Sequence, residues 1–176
     1  MLKGVKTVEP GYSGGHVDNP TYDQVSSGKS GHAEVIKIEY DPEQVAFEEL
    51  LRVFFATHDP TTINRQGNDV GSQYRSVIFY TTERQKEKAE HYIETLNAAA
   101  RSRLSSDQSS QGNTFPHRKS TSQKIVTTVE PFMKFYPAED YHQKYFENHP
   151  DATYCQLIIA PKVEKVEKKF RHLLKE

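Results

Sequence analysis

The chain has 176 residues, and its 23 lysines and arginines nearly balance its 24 aspartates and glutamates. This balance gives no electrostatic reason to expect nucleic acid or an anionic membrane as the main partner. The single cysteine excludes an internal disulfide framework and a zinc site built from several cysteines, and it suits a reducing compartment. No apolar run approaches the ~20 residues that a membrane-spanning helix requires. We therefore expect one domain over residues 1–176, located in the cytoplasm, with no signal or transit peptide.

The first forty residues predict two strands separated by a long polar segment. Residues 4–9 alternate short apolar and polar side chains and then meet Pro10 and Gly11, which predicts a strand that ends in a turn. Residues 11–31 are rich in Gly, Asn, Pro and Ser and predict a loop of a length that is usually functional. Residues 33–40 predict a second strand, because alternate positions are apolar.

The middle of the chain predicts two helices around a third strand. Phe47, Leu50, Leu51 and Phe54 recur at the spacing of one helical stripe. Residues 61–73 predict a second polar loop, and aromatic and branched residues predict a strand over residues 74–80. A capping box at Thr82 and Gln85 predicts the next helix, which continues to Ala100.

The last third of the chain begins with a change of composition. Residues 101–123 are rich in Ser and Gln and predict a flexible surface insertion, since they can bury little apolar area. Residues 124–130 predict a strand, residues 138–148 a short helix, and residues 162–174 a terminal helix. The side chains of that last helix expected to face inward are Val163, Val166, Phe170 and Leu173. The alternation of strands and helices predicts an α/β or α+β fold.

Glu34 is a carboxyl group in register with the apolar face of its strand, formed by Ile36, Ile38 and Tyr40. Burial disfavours the charged form and raises the pKa of such a group. Two interpretations remain open. Glu34 lies near the start of its strand, still hydrated and beside a Lys or Arg, or it is a neutral acid that donates a hydrogen bond or a proton.

Two tyrosines border the polar loops, Tyr22 in the first and Tyr74 after the second. Phenols are neutral donors to a developing oxyanion, although a lone tyrosine is more often a packing residue. Cys155 is either a small buried apolar residue or a reactive thiol. Glu139 and His142 match half of a di-iron pattern whose second half is absent from the sequence, so we expect no metal. The glycine spacings of nucleotide-binding loops are also missing, so we expect no bound cofactor.

Long and specific motifs cover nearly all of the chain except the Ser- and Gln-rich insertion. They are Gly11-Tyr12-Ser13-Gly14-Gly15-His16, Asn19-Pro20-Thr21-Tyr22, Gly31-His32-Ala33-Glu34, His58-Asp59-Pro60-Thr61-Thr62, Asn68-Asp69-Val70-Gly71-Ser72-Gln73-Tyr74 and Ala138-Glu139-Asp140-Tyr141-His142-Gln143. In these motifs the chain resembles the A-type peptide methionine sulfoxide reductase family. The resemblance implies a ferredoxin-like two-layer α+β sandwich. It also implies reduction of the S epimer of methionine sulfoxide, free or in proteins, as a repair of oxidative damage.

The resemblance also implies roles for single residues. In the family a cysteine thiolate attacks the sulfoxide sulfur, while residues matching Glu34, Tyr22 and Tyr74 bind the departing oxygen. A residue matching Asp69 helps to order the site. Cys155 resembles the resolving cysteine, which condenses with the enzyme sulfenic acid before thioredoxin, or dithiothreitol in an assay, regenerates the thiols.

One feature of the family is missing from this sequence. The family's nucleophile lies in a Gly-Cys-Phe-Trp segment that precedes the strand matching residues 4–9, whereas this chain has no tryptophan and Cys155 as its one cysteine. We therefore expect the first strand and helix of the fold to be absent, through a mis-called start, a deletion or a true pseudoenzyme, and reductase turnover to be negligible. The alternative function is non-catalytic binding of methionine sulfoxide. A complete chain would be monomeric, and the unpaired sheet edge of this one invites association.

Overall fold

The computed structural model describes residues 1–107 and 124–175. Its strands are β1 (Val5–Ser13), β2 (Ala33–Tyr40), β3 (Arg65–Gln66), β4 (Asp69–Val70), β5 (Val77–Tyr80), β6 (Thr128–Pro131) and β7 (Phe135–Pro137). Its α-helices are α1 (Tyr22–Ser26), α2 (Phe47–Thr57), α3 (Glu83–Asp107), α4 (Tyr145–Asn148) and α5 (Ala160–Lys169). Three 3-10 turns, Ser72–Tyr74, Asp140–His142 and Arg171–Leu173, and a π-helical turn, Cys155–Ile159, complete the described elements. The fold is α+β, as the sequence predicts.

The largest described sheet has the order β2-β1-β7 and is antiparallel throughout. Its register places Tyr12 of β1 between Glu34 of β2 on one side and Tyr136 of β7 on the other. Strands β5 and β6 form a separate parallel pair, and β3 and β4 form a short hairpin. The described strands are thus divided among three sheets, and the central strand β1 brings Tyr12 next to Glu34.

Strand β1 extends four residues beyond the predicted end at residue 9, through the Pro10-Gly11 pair to Ser13. Gly11 permits this extension because a Cβ atom there would lie 2.3 Å from the Tyr136 carbonyl oxygen and 2.4 Å from the Phe135 ring. The missing side chain lets β7 approach β1 closely, so a glycine that predicts a turn serves here as a strand residue. The predicted loop over residues 11–31 is also shorter, since it contains helix α1.

Buried residues lie around the central strand and around helix α2. Tyr12, Val25, Tyr136 and Ala138 make one cluster, against which the half-buried Tyr22 packs. Helix α2 packs on α3 and α5 in the other group, where the buried residues are Leu50, Leu51, Ala89, Val166 and Phe170. The inward orientation predicted for Val166 and Phe170 is confirmed, while Val163 and Leu173 are partly buried.

The predicted apolar face of β2 is largely open. Ile36 is 58% exposed, while Ile38 and Tyr40 are half-buried, and Val8, the partner of Ile38 on β1, is 56% exposed. The predicted bounds of β2 are therefore right, but its apolar face is less buried than predicted. This face stays open because no described helix packs closely over these residues.

Three predicted elements have different bounds in the structure. The strand predicted over residues 74–80 is divided into a 3-10 turn that ends at Tyr74 and strand β5. The helix predicted over residues 138–148 is wrong, because Lys144 adopts a left-handed conformation with φ of 50° that separates a 3-10 turn from the short helix α4. The terminal helix starts and stops earlier than predicted, at Ala160 and Lys169.

The first part of the flexible Ser- and Gln-rich insertion predicted at 101–123 is helical instead. Helix α3 continues to Asp107, so residues 101–107 are helical, and residues 108–123 lie outside the described part of the chain. The strand predicted from residue 124 begins at Thr128. None of the helices described in residues 1–107 and 124–175 is both long enough and apolar enough to cross a membrane.

Candidate active site

Tyr22 is the first residue of α1 and is fixed from two directions. A capping box holds the start of the helix, in which the Thr21 hydroxyl accepts from the Gln24 amide and the Gln24 side chain accepts from the Thr21 amide. The Tyr22 backbone N–H donates to Oε1 of Glu139 at 2.7 Å. The Tyr22 ring lies 5.0 Å from the His142 ring, centroid to centroid. These contacts fix the position of the Tyr22 backbone and ring.

Glu139 links Tyr22 to the central strand. Its Oε2 atom accepts a hydrogen bond of 2.7 Å from the Tyr12 hydroxyl, and Tyr12 is only 2% exposed. The pKa of Tyr12 is raised, first by burial and then by the hydrogen bond to Glu139 and the charges of Glu139 and Glu34. Burial opposes ionisation of Glu139, but the hydrogen bonds from Tyr12 and Tyr22 outweigh it and lower the Glu139 pKa. Tyr12 is therefore neutral and Glu139 ionised at neutral pH.

Glu34 lies directly across from Tyr12, near the start of β2. Burial of the carboxyl group, followed by the negative charge of Asp69, raises its pKa. More than a third of the surface of Glu34 remains exposed, so the residue is less buried than its predicted inward orientation implies. Its carboxyl group is therefore open to a ligand. In the described residues Glu34 forms no ion pair with a Lys or Arg. Glu34 is thus exposed near the start of its strand, as the first interpretation expects, but has no Lys or Arg partner there, and its pKa is raised in the direction that the second interpretation requires.

Asp69 and Tyr74 belong to the segment between α2 and β5 and lie near Glu34. Asp69 follows the two-residue turn of the β3–β4 hairpin, where Gly67 adopts φ of 62°. Tyr74 ends the 3-10 turn Ser72–Tyr74, which packs against β2. The pKa of Tyr74 is raised by burial first and then by Glu34, Tyr22 and Asp69. Tyr74 is thus close enough to Glu34, Tyr22 and Asp69 for their charges to affect its pKa, and we refer to these four residues as the polar cluster.

A family model described as "Peptide methionine sulfoxide reductase" matches residues 1–174 of the chain. The chain belongs to the peptide methionine sulfoxide reductase family. The polar cluster is thus the candidate active site of a methionine sulfoxide reductase, an oxidoreductase.

Similar proteins and structures agree with this assignment. The peptide methionine sulfoxide reductase MsrA of Picrophilus torridus is 48% identical over 169 residues, covering 96% of this chain and 84% of the relative. The MsrA of Acinetobacter baumannii strain AYE is 49% identical over 175 residues, covering 99% and 88%. Among solved structures, reduced Mxr1 from Saccharomyces cerevisiae superposes with a TM-score of 0.70 at 29% identity, covering 86% of this chain and 76% of that one. MsrA of Corynebacterium diphtheriae gives 0.65 at 33%, covering 85% and 66%.

Cys155, the fifth residue singled out from the sequence, is a free thiol with 0% exposure at the start of the π-helical turn. Its neighbour in the sequence, Tyr154, lies close enough to Asp69 and Glu34 for their charges to affect it. Burial, followed by the charges of Asp69, Glu34 and Cys155, raises the pKa of Tyr154. Sequence reasoning missed this third phenol, because nothing in its local pattern distinguishes it from a surface tyrosine.

Sequence reasoning also missed the part played by the segment at Glu139 and His142, to which it gave no role beyond a family motif and half of a metal motif. Within residues 1–107 and 124–175 there is no group of three or more His, Cys, Asp or Glu that could hold a metal ion. Instead, the His142 ring packs between the rings of Tyr22 and Tyr141, with its Nε2 atom buried and unpartnered among the described residues. The segment therefore supports Tyr22.

Proposed function

We propose that this site binds the S epimer of methionine sulfoxide, in proteins or as the free amino acid, through its S=O oxygen. In this proposal the protonated carboxyl of Glu34 and the hydroxyls of Tyr22 and Tyr74 donate hydrogen bonds to that oxygen, and the charge of Asp69 keeps the Glu34 proton in place. The raised pKa of Glu34 is the observation that carries the proposal, since a carboxylate would repel the oxygen that a carboxylic acid can bind.

The bound oxygen prepares the sulfoxide for reduction by thiols. Donors at the oxygen polarise the S=O bond, so a thiol sulfur can attack the sulfoxide sulfur and take over the oxygen as a sulfenic acid. The sulfoxide sulfur gains two electrons and becomes a thioether. A second thiol then condenses with the sulfenic acid, which releases water and leaves a disulfide. The resemblance gives Cys155 the second role, so the attacking thiol is not one of these 176 residues, whose single cysteine is Cys155. A dithiol such as thioredoxin or dithiothreitol then reduces the disulfide.

A second candidate function is binding without turnover. It is favoured by the fact that Cys155 is the one cysteine among the 176 residues and has 0% exposure. We expect the 176-residue chain to reduce N-acetylmethionine sulfoxide with dithiothreitol at a rate no higher than a Cys155→Ser variant. Robust turnover that the Cys155→Ser substitution abolishes would contradict this expectation and make Cys155 the nucleophile.

The binding proposal is tested by titrating the chain with methionine-S-sulfoxide and following amide NMR signals. We expect saturable binding that methionine itself does not show and that weakens as rising pH ionises Glu34. Glu34→Gln keeps the size of the side chain and removes its titration, so its binding should lose this pH dependence. Glu39→Gln, on the exposed part of the same strand, is the matched control and should bind as the parent does. Absence of saturable binding, or an unchanged pH dependence in Glu34→Gln, would remove the proposal.

We further propose that the chain acts in the cytoplasm in the repair of oxidised proteins, with thioredoxin as the electron donor. The single cysteine, which suits a reducing compartment, supports this proposal. We also propose that the chain associates through β2, because β2 pairs only with β1 among the described strands and Ile36 on it is exposed.

A further inference from the structure

Gln73 is a polar side chain buried between the two segments that carry the phenols. It is 4% exposed and directly precedes Tyr74 in the 3-10 turn. Its Nε2 atom donates to the carbonyl oxygen of Ser26 at 2.9 Å. Ser26 is the last residue of α1, the helix that starts at Tyr22. One amide thus connects the end of the first phenol's helix to the turn that ends with the second phenol.

Two glycines lie close to the Gln73 side chain. Gly71 has φ of 153°, and a Cβ atom on it would lie 2.3 Å from Oε1 of Gln73. A Cβ atom on Gly28, just past α1, would lie 3.5 Å from the same oxygen. That oxygen has no hydrogen-bond partner in the described part of the chain. Burying an unpaired amide oxygen is unfavourable, so apolar packing alone does not explain a glutamine here.

Helix α1 is short enough for this contact to matter at Tyr22. It has five residues, so Tyr22 and Ser26 are about 6 Å apart along its axis at ~1.5 Å per residue. Glu139 holds the first residue through the Tyr22 N–H, and Gln73 holds the last through its carbonyl group. A helix of this length moves as one body when either end is released.

We propose that Gln73 is a positioning residue of the active site, which sets the separation of the Tyr22 and Tyr74 hydroxyls by fastening α1 to the Ser72–Tyr74 turn. This inference rests on the proposed role of the two phenols in binding the sulfoxide oxygen. An oxygen held by two donors needs both at hydrogen-bond distance at the same time, so a small shift of α1 loses one of them. The Gln73 side chain also lowers the pKa of Tyr74, against the larger effects of burial and of nearby charges, which agrees with an amide close to that hydroxyl.

The test uses Gln73→Met, which keeps the length of the side chain and removes the amide. With tyrosines labelled with ¹³C at Cζ, we expect the Tyr22 and Tyr74 signals to shift and the titration of Tyr74 to move to higher pH, since a contact that lowers its pKa is gone. The two signals are assigned with Tyr22→Phe and Tyr74→Phe. Binding of methionine-S-sulfoxide should weaken about tenfold, which corresponds to the loss of one hydrogen bond.

Thr127→Val is the matched control for a purely structural effect. Thr127 is also buried, and its hydroxyl shares a 2.7 Å hydrogen bond with the Ser76 hydroxyl between β5 and β6. We expect this variant to lose stability but to keep the Tyr22 and Tyr74 signals and the titration of Tyr74. Gln73→Glu is the second variant. Its carboxyl group can donate to the Ser26 carbonyl only when protonated, so the tyrosine signals should match those of the parent at acidic pH and depart from them at neutral pH.

Two outcomes overturn the inference. One is a Gln73→Met variant that is destabilised like Thr127→Val yet keeps the tyrosine signals and titration of the parent. The other is a Gln73→Glu variant whose tyrosine signals match those of the parent at every pH. If the parent itself fails to bind methionine-S-sulfoxide, the proposed function fails, while the tyrosine signals still decide whether Gln73 positions the two phenols.

Discussion

The imidazole of His58 joins three segments of the chain in its neutral form. Its Nδ1 atom lies 2.6 Å from the carbonyl oxygen of Phe54, which can only accept, so Nδ1 carries the proton. Its Nε2 atom then accepts from the hydroxyl of Ser76 at 2.8 Å, and Ser76 in turn contacts Thr127. The end of α2 is thereby tied to the starts of β5 and β6. Protonation of His58 would place two donors against each other at Ser76 unless its hydroxyl turned away.

This environment predicts a loss of stability in mild acid. Burial is the main cause of the lowered pKa of His58, so the unfolded chain takes up the proton first as the pH falls below the ordinary value of 6.5. The free energy of unfolding should therefore decrease from pH 6.5 down to the pKa of the folded state and then level off. We expect His58→Gln to cost about 1–3 kcal/mol at pH 8, where a buried hydrogen bond is lost, and to cost less at acidic pH.

Urea unfolding at a series of pH values measures this effect. His91→Gln, at an exposed position of α3, is the control and should keep the pH dependence of the parent. A decrease in stability below pH 6.5 that is equally large in His58→Gln would show that other groups cause it.

Helix α1 depends on its capping residues more than a longer helix would. It has five residues and one buried side chain, Val25, so its first turn is also nearly its whole length. The Thr21 hydroxyl accepts from the Gln24 amide and satisfies one of the free N–H groups of that turn. Loss of this acceptor should loosen Tyr22 at the start of the helix.

We expect Thr21→Ala to lower the free energy of unfolding by ~1 kcal/mol, the usual effect of removing a helix cap. Binding of methionine-S-sulfoxide should weaken as well, because Tyr22 becomes less well placed. Thr21→Ser keeps a hydroxyl acceptor and should behave like the parent in both chemical denaturation and NMR titration. Equal losses in the serine and alanine variants would mean that the Thr21 methyl group, rather than its hydroxyl, stabilises this segment.

The elements in which apolar residues recur at one regular spacing could be predicted from the sequence. The bounds of β2 and the apolar stripe of α2 are confirmed. In β2 the alternation extends over four pairs of residues, and in α2 the helical spacing extends over at least two turns. The extension of β1 through Gly11 and the break at Lys144 could not be predicted in this way. Both depend on contacts or backbone angles that only the folded chain supplies, the approach of β7 in one case and a left-handed lysine in the other.

In the candidate site, too, local sequence motifs identify some residues, while the roles of others depend on contacts between distant segments. Glu34, Tyr22, Tyr74 and Asp69 could be named because they lie in motifs that resemble the family. The residues that hold them, Glu139 and Gln73, act through hydrogen bonds to segments 117 and 47 residues away. A short-range repeat in the sequence carries no information about such a long-range hydrogen bond, so only the structure assigns a role to either residue.

The molecule as a whole is held together by its ends as well as by its sheets. The Lys3 N–H donates to the Leu173 carbonyl at 2.7 Å, and the Lys175 N–H donates to the Met1 carbonyl at 2.8 Å. The last turn of the chain is thereby attached to the segment that leads into β1. This attachment stabilises one end of the sheet, but it leaves the outer edge of β2 uncovered by any strand of the described ranges 1–107 and 124–175.

An open strand edge beside exposed apolar side chains predicts self-association at high concentration. Strand β2 presents unpaired backbone groups along its outer edge, and Ile36 on it is 58% exposed. A lysine at this position would add a charge that opposes pairing with a second copy, while an exposed site tolerates the change within about 0.5 kcal/mol of stability. We therefore expect sedimentation velocity to detect association of the parent between micromolar and hundreds of micromolar concentration, and Ile36→Lys to suppress it. Met133→Lys, which alters an equally apolar and more exposed residue outside β2, should leave association unchanged. A parent that stays monomeric over this range, or equal suppression by both lysines, would exclude the β2 edge as the contact.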